Sequence, residues 1–477
     1  MISVYCPKTY QPEREYICHV LLKEFLGLEF HIEYRDADDW IICDEQGNNS
    51  LVLPDLLFKT PKKQWLTTNS LPRQPLAQWD AEQSGFKFNL IDKKIPVIFG
   101  NLDFFSSQRR SSYSKKYQKT VTLPIDIFGS AFFMLSRYEE VVKPDRDAHD
   151  RFPAWASLAY QEGFLSRPIV IEYLEILWAY MKSLWQGLER KQRTYQMLVT
   201  CDVDHPYQDG LRNPIRQIKT IGGDLIYRKN PLLATKSTLN YLASRFGNYS
   251  LDPYLTAIYW IMDINEKAGN RVTFYFKADQ TDPQFDSSYS LDEPIIRKLL
   301  RDIHNRGHEI GLHPSYRTYR DGKQLCLEAD NLRRVLEEEK ICQDTLGSRQ
   351  HYLRWDSATT PLLLEKAGID CDTTLSYADH VGFRCGVCFE YPMYDLVNLR
   401  PLTVMERPLI IMEGSLFGPD YMNIKLSTNT LETIYPYKDW CIKFSGSFTL
   451  LWHNSSFLTI HERKIYRETI QGIAKCN

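Results

Sequence analysis

The sequence predicts an α/β protein built on a parallel sheet or barrel, and three observations carry that expectation. From Arg193 onward, short apolar runs rich in strand formers alternate with helical patterns. Two of those runs stop abruptly at polar residues followed by proline, in TCDVDHP and GLHP. The helical stretches carry end signals, such as Pro294 in a first turn and Gly307 just past a last one.

The stretch Met197 to Tyr207, MLVTCDVDHPY, sets the pattern. It reads as a buried strand that delivers Asp202 and Asp204 to its carboxyl end, where the turns after parallel strands stay open and ligands collect. Residues i and i+2 leave a strand on one face, so both carboxylates look into one pocket. Two ionised carboxylates repel, and a metal ion, an arginine or a retained proton must relieve them. The plain alternative is that they terminate the strand and cap the next segment.

The chain of 477 residues suggests two or three domains at about 150 residues each. Its 43% hydrophobic and 25% charged residues are those of a globular protein, and a net charge of -2 supplies no overall field for nucleic acid or an anionic membrane. Twenty-nine tyrosines would suit sugar stacking, but such a composition more often reflects packing. The N-terminus MISVYCPKTYQPEREY lacks the apolar core of a signal peptide, and no run of about 18 apolar residues appears later. Eleven cysteines, scattered apart from Cys385 and Cys388, fit a reducing compartment. The expectation is a cytoplasmic protein with no nucleic-acid partner and no membrane insertion. The RCGVC pair has no second pair at zinc-finger spacing and reads as buried thiols.

Residues 1–105 mix strand-like runs (WIICD, SLVLP, IPVIFG) with a helix around Glu13 to Leu26, as expected of a small α/β domain. Residues 106–192 read as a helical connector: a basic polar loop from Ser106 to Lys119, then DIFGSAFFMLSRYEE and PIVIEYLEILWAYMKSLWQGL at helical spacing. Between those helices, His149 is flanked by Asp147 and Asp150, and a polar interdomain surface is a better reading of it than a ligand.

Residues 193–477 hold the strand and helix alternation. After the first strand, Asp209 to about Tyr254 is a long polar and aromatic insertion, expected to form a lid or substrate wall. RVTFYFKAD is the second strand and HEIGLHPSY the third, ending at His313. A helix from Gln324 to Ile341 packs outside. GSRQHYLRW places Arg349 and Tyr352 beyond a turn, RPLIIMEGSLF reads as a buried strand, and GSFTLLWHNSSF stops at His453.

Taken in order, TCDVD, GHEIGLH, RQHY and LLWH resemble the successive motifs of the polysaccharide deacetylase family, carbohydrate esterase family four. VTFYF resembles that family's second strand, and the likeness spans about Tyr195 to Gly472. A segment like DIFGSAFFMLSRYEE precedes the deacetylase domain in similar bacterial two-domain members. The resemblance implies a distorted (β/α) barrel that hydrolyses an acetyl group from an N-acetylated sugar or polysaccharide with a divalent metal, zinc by preference. It implies roles residue by residue: Asp202 as general base, Asp204 and His313 as metal ligands, Arg349 as the partner of the base, Tyr352 as an oxyanion amide, His453 as general acid, and Asp379 as the residue orienting that histidine. The chemistry demands such types. A metal lowers the pKa of bound water and polarises the carbonyl, an aspartate takes the water proton, and a histidine protonates the departing amine.

One position departs from the family pattern. Where a second metal histidine stands four residues after the first, this chain has Arg317, whose guanidinium offers no lone pair. Three readings are open: His205, His308 or another side chain completes the site, with His205 preferred; the metal is held by Asp204, His313 and water; or the barrel is metal-free. The leading expectation is a deacetylase-like hydrolase. The alternatives are a degenerate glycan-binding or scaffolding protein, or a hydrolase of another non-peptide amide. Oligomeric state stays open.

Overall fold

Eight strands of the second half run parallel because helices cross back between them, and their carboxyl ends gather on one rim. The computed structural model describes residues 1–44, 47–102, 117–208, 214–227, 229–427 and 429–471. The expected basic loop therefore lies mostly outside the described residues, as do residues 209–213 of the insertion.

The first half builds a five-stranded sheet from β1 (Ile2–Pro7), β2 (Phe30–Arg35), β3 (Asp39–Asp44), β4 (Asn49–Pro54) and β7 (Lys119–Thr122), in the order β2-β1-β3-β4-β7. A separate hairpin joins β5 (Ala77–Asp80) to β6 (Lys94–Val97). The helix Gln11–Cys18 continues as a π-helical stretch, His19–Phe25. The expected boundary near residue 105 cuts through this unit, since β7 pairs with β4 and Trp40 stacks on Phe128 of the helix Ile127–Leu135 at 4.5 Å. Hydrophobic burial, not the polar loop, sets the extent of the unit. Asp126 starts that helix by accepting from the Gly129 amide, and also from the amides of Leu56 and Leu57.

The second half forms a nine-stranded sheet. It contains β8 (Gln196–Val203), β9 (Val272–Phe276), β10 (Glu309–Leu312), β11 (Gly347–Ser348), β12 (Cys371–Asp372), β13 (Tyr391–Asp395), β14 (Arg400–Glu406), β15 (Ile411–Met412) and β16 (Ser447–Leu451). The order is β13-β14-β12-β11-β10-β9-β8-β16-β15, with only β13 antiparallel to its neighbour. Parallel strands therefore follow the chain from β8 to β14, while β15 and β16 return to the other side of β8. Gly311 in β10 is required by a close approach: a Cβ there would stand 2.4 Å from the Tyr275 ring and 2.9 Å from the Gly347 carbonyl.

Helix signals in the sequence correspond to real ends. The helix Pro253–Ala268 is capped by Asp252 and closed by Gly269 at φ 75°, and the helix Pro294–Asn305 starts at its proline. The two halves are riveted by a fully buried ion cluster in which Glu140 accepts from Arg137 and, through both oxygens, from Arg384. Among the described residues no helix is long and apolar enough to cross a membrane. Cys385 and Cys388 are buried, unpaired thiols, and burial pushes the Cys385 thiol up to about 12.

Candidate metal and catalytic site

Most of the charged side chains of the site stand at, or just beyond, the carboxyl end of a parallel strand. Asp202 is the penultimate residue of β8 and Asp204 follows the strand, Lys277 follows β9, His313 follows β10, Arg349 follows β11, Glu413 follows β15 and His453 stands two residues past β16. Asp202, Asp204, His313 and His453 line a cavity of about 200 Å³, walled also by Arg151, Phe285, His351, Tyr352 and Tyr421.

Three ligand atoms converge there, one each from Asp204, His313 and His351, all within 4.8 Å of one another. His313 Nε2 lies 3.2 Å and His351 Nε2 3.3 Å from Asp204 Oδ1. Their hydrogen bonds set the tautomers. His313 Nδ1 meets the Arg349 carbonyl oxygen at 2.5 Å, and His351 Nδ1 meets Asp286 Oδ1 at 2.8 Å; both partners only accept, so both Nδ1 atoms donate. With Nδ1 committed in this way, each ring turns its Nε2 toward Asp204, where a bound cation can bring the three groups together. His313 Nε2 and Asp204 Oδ1 are buried with no hydrogen-bond partner among the described residues. These three side chains could hold a divalent metal ion, with Asp286 fixing the orientation of one histidine from behind.

A cation of the chain itself reaches the same point. Lys277, buried, puts Nζ 3.0 Å from His351 Nε2 and 3.4 Å from Asp204 Oδ1. Burial works to raise the Asp204 pKa, but Lys277, and after it His351, prevail and hold it well below the usual carboxylate range. Asp286 is lowered to about 2 against its burial, chiefly by its bond to His351.

Beside this cluster, Asp202 Oδ1 accepts from Arg349 Nη1 at 2.9 Å. The guanidinium is completely buried and is held in plane by Thr200 and Thr373, with the Tyr275 ring 4.9 Å beneath it. Asp202 Oδ2 faces His453 Nε2 at 4.0 Å. The other side of that imidazole is gripped by Glu413, whose Oε1 lies 2.6 Å from Nδ1 and also accepts from the His453 amide and the Ser456 hydroxyl. Burial alone would lower the His453 pKa. The Glu413 charge and hydrogen bond outweigh it, with help from Asp204 and Asp202, and raise it to about 10.

Tyr352 sits in the left-handed region at φ 62°, and its carbonyl accepts from Arg151. That conformation is costly outside glycine and is found where surrounding structure enforces it. Arg151 belongs to the charged stretch of the first half, so that half supplies a wall of the cavity. His149, in the same stretch, packs against Tyr352 at 4.7 Å, and its Nδ1 lies 3.0 Å from the Tyr316 hydroxyl.

Two expectations need correction. His205 lines the cavity but is outside the ligand cluster; its carbonyl accepts from Asn454, and His351 stands in the third position. Asp379 does not orient His453: both its oxygens accept from the Ala154 amide, and Glu413 holds the histidine. Arg317 points outward to Asp282 at 3.0 Å. The chain after His313 is a turn and a 3-10 segment, Thr318–Arg320, not an α-helix, so the i, i+4 relation has no geometric meaning there. His308 has a structural place, accepting from the Val272 amide.

Sequence reasoning misses His351, Glu413 and Lys277, although signals exist for the first two. His351 is i+2 from Arg349, the spacing that singles out Asp202 and Asp204. Glu413 follows the apolar run LIIM, the strand-end position that singles out His313 and His453.

Among known protein families, the model of DUF7033, described as a family of unknown function, matches residues 2–186. No curated protein matches the chain. A solved structure from Mycobacterium smegmatis, described as a "putative polysaccharide deacetylase", is similar to it at 16% identity, over 59% of this chain and 84% of that one, with a TM-score of 0.38. A likeness at that level decides nothing about this chain, whose site must be read from its own residues.

Proposed function

We propose that the chain is a metal-assisted hydrolase of the polysaccharide deacetylase type, removing the acetyl group from an N-acetylated sugar. The observation that carries this reading is the placement of one Asp-His-His ligand set between two separately supported proton-transfer groups, Asp202 on Arg349 and His453 on Glu413. Asp204, His313 and His351 would hold the ion, three protein ligands being the usual complement of catalytic zinc. Once bound, the ion supplies Lewis-acid polarisation of a carbonyl and acidification of water.

The chain's own groups divide the remaining work. Asp202 Oδ2, the oxygen away from Arg349, takes the proton of the attacking water. His453, positively charged at neutral pH, presents Nε2 to the cavity and gives its proton to the departing nitrogen, while Glu413 keeps the ring aimed. Tyr352 and Leu353, both left-handed, shape the wall facing the ligands. The cavity, about 200 Å³, is below the roughly 300–1,000 Å³ of drug-sized pockets, which suits entry of an acetamido end and not of a whole chain.

A second reading draws on Lys277. Its ammonium meets the acceptors that a metal would use, which favours a metal-free barrel that binds a glycan without hydrolysis. Elemental analysis of protein purified without chelator, paired with acetate release from a panel of N-acetylated sugars and oligosaccharides, separates the two. The hydrolase reading expects near-stoichiometric metal, acetate release, and a loss of at least about a hundredfold in kcat for Asp202→Asn with metal retained. Full turnover by Asp202→Asn, or a metal-loaded protein inert on the whole panel, would sink it.

A further inference from the structure

The insertion after β8 is built inside out. Its two helices, Pro214–Ile226 and Pro231–Ser244, pack on each other as a hairpin. Among the described residues of the two helices, the buried side chains are the polar Gln217, Asp224, Ser237 and Asn240, with Ala234 as the apolar exception. They bond across the seam, Gln217 to the Ser237 carbonyl and Ser237 to Asp224, each at 2.8 Å. Several large apolar side chains face outward instead. Ile218 and Ile226 are each 70% exposed, Leu232 66%, Tyr227 87% and Phe246 90%. A hairpin in water hides its apolar stripe and shows its polar face. The reverse arrangement is stable when the surroundings are apolar, because polar groups then gain by bonding to each other.

The charge on this element says what those surroundings are. Residues 214–251 contain six Lys or Arg and one acid, Asp224, in a chain of net charge -2. Asp224 is buried in the seam, while Lys219, Lys229, Lys236 and Arg245 are exposed among the apolar side chains. Apolar side chains interleaved with cations match a bilayer surface containing anionic lipid. A second copy of the hairpin matches poorly, since its exposed charges have the same sign. At 13 and 14 residues, the helices are shorter than the roughly 20 needed to span a bilayer.

We propose that the hairpin 214–251 docks this protein on an anionic membrane surface, lying in the interface without crossing it. The element is rooted beside the site. Asp252 accepts from the Gln208 amide and from Asn240, and Tyr249 packs on Tyr207 at 5.2 Å, three residues beyond Asp204. Docking would therefore bring the cavity rim toward the lipid surface. The proposal stands independently of the hydrolase reading.

Co-sedimentation of the full chain with vesicles tests it, using equal parts phosphatidylglycerol and phosphatidylcholine against pure phosphatidylcholine. The wild type is expected to sediment with the anionic vesicles in preference to the neutral ones. Ile218→Ser combined with Phe246→Ser should weaken that partition by at least about tenfold. Lys219→Glu combined with Lys236→Glu should weaken it by about tenfold or more. All four positions are exposed, and circular dichroism checks that the variants fold. No preference for anionic vesicles, or partition that neither pair weakens, overturns the proposal. A dimer in analytical ultracentrifugation that binds no vesicles, and that Ile218→Ser with Phe246→Ser converts to monomer, overturns it in favour of a second copy.

Discussion

Lys277 Nζ stands 3.0 Å from His351 Nε2, so the lone pair best placed to bind a metal is already met by an ammonium. A divalent ion at the cluster and this ammonium would repel strongly across a few ångströms in a poorly screened site. Lys277→Met is therefore expected to tighten zinc binding by at least about tenfold, measured by competition with a chelating dye on metal-stripped protein. Weaker binding in the variant would mean that Lys277 supports the ion site instead of competing with it.

His351 and His205 both line the cavity with Asp204, and the His351 ring belongs to the ligand cluster and is held from behind by the Asp286 carboxylate. His351→Ala should lower zinc affinity by at least about a hundredfold, whereas His205→Ala should change it by less than about threefold. Calorimetric titration of the two apo variants distinguishes them. Equal losses would return His205 to the ligand set.

The pair His453 and Glu413 predicts a pH profile. With its pKa raised to about 10, His453 keeps its proton through neutral pH and loses it as pH rises past that value, so an activity that needs the imidazolium falls on the alkaline side. Glu413→Gln removes the main charge favouring the protonated ring. The alkaline limb should move down by about one to three pH units, and Asp379→Asn should leave it in place. A limb unmoved in Glu413→Gln would remove His453 from the role of acid.

Glu140 joins the two halves, and its buried position makes that junction sensitive to acid. Burial favours its neutral form, yet Arg384 and Arg137 lower its pKa to about 2. A depressed carboxylate contributes stability that is present above its unfolded pKa near 4.3 and lost as pH falls toward 2, here on the order of 3 kcal/mol. Glu140→Gln should cost about 3–5 kcal/mol near neutral pH by leaving buried guanidinium groups without their counter-charge. It should also flatten the pH dependence between about 4 and 2 in urea denaturation. A variant as stable as the wild type would show that the cluster is replaceable.

Local signals are enough for the parallel sheet and for much of the site. Asp202, Asp204, His313, Arg349 and His453 each end or follow an apolar run, and the packed strand body and open turn make that position legible without coordinates. Glu413 obeys the same rule, but its role is hidden in the sequence because Asp379 competes for it. Chain position alone does not show which carboxylate is the side-chain partner of His453.

The sequence by itself determined the alternation of strand and helix, the strand ends that carry acids and histidines, and the absence of a second histidine four residues after His313. Tertiary structure alone decided which side chains share a point in space. His351 enters the ligand set because β10 and β11 lie side by side, and Lys277 enters because β9 is the next strand over. The outward apolar face of the hairpin likewise depends on how two helices turn against each other, since helical spacing alone does not say which stripe faces in. Strand adjacency and helix rotation are set by long-range packing, and no window of sequence contains them.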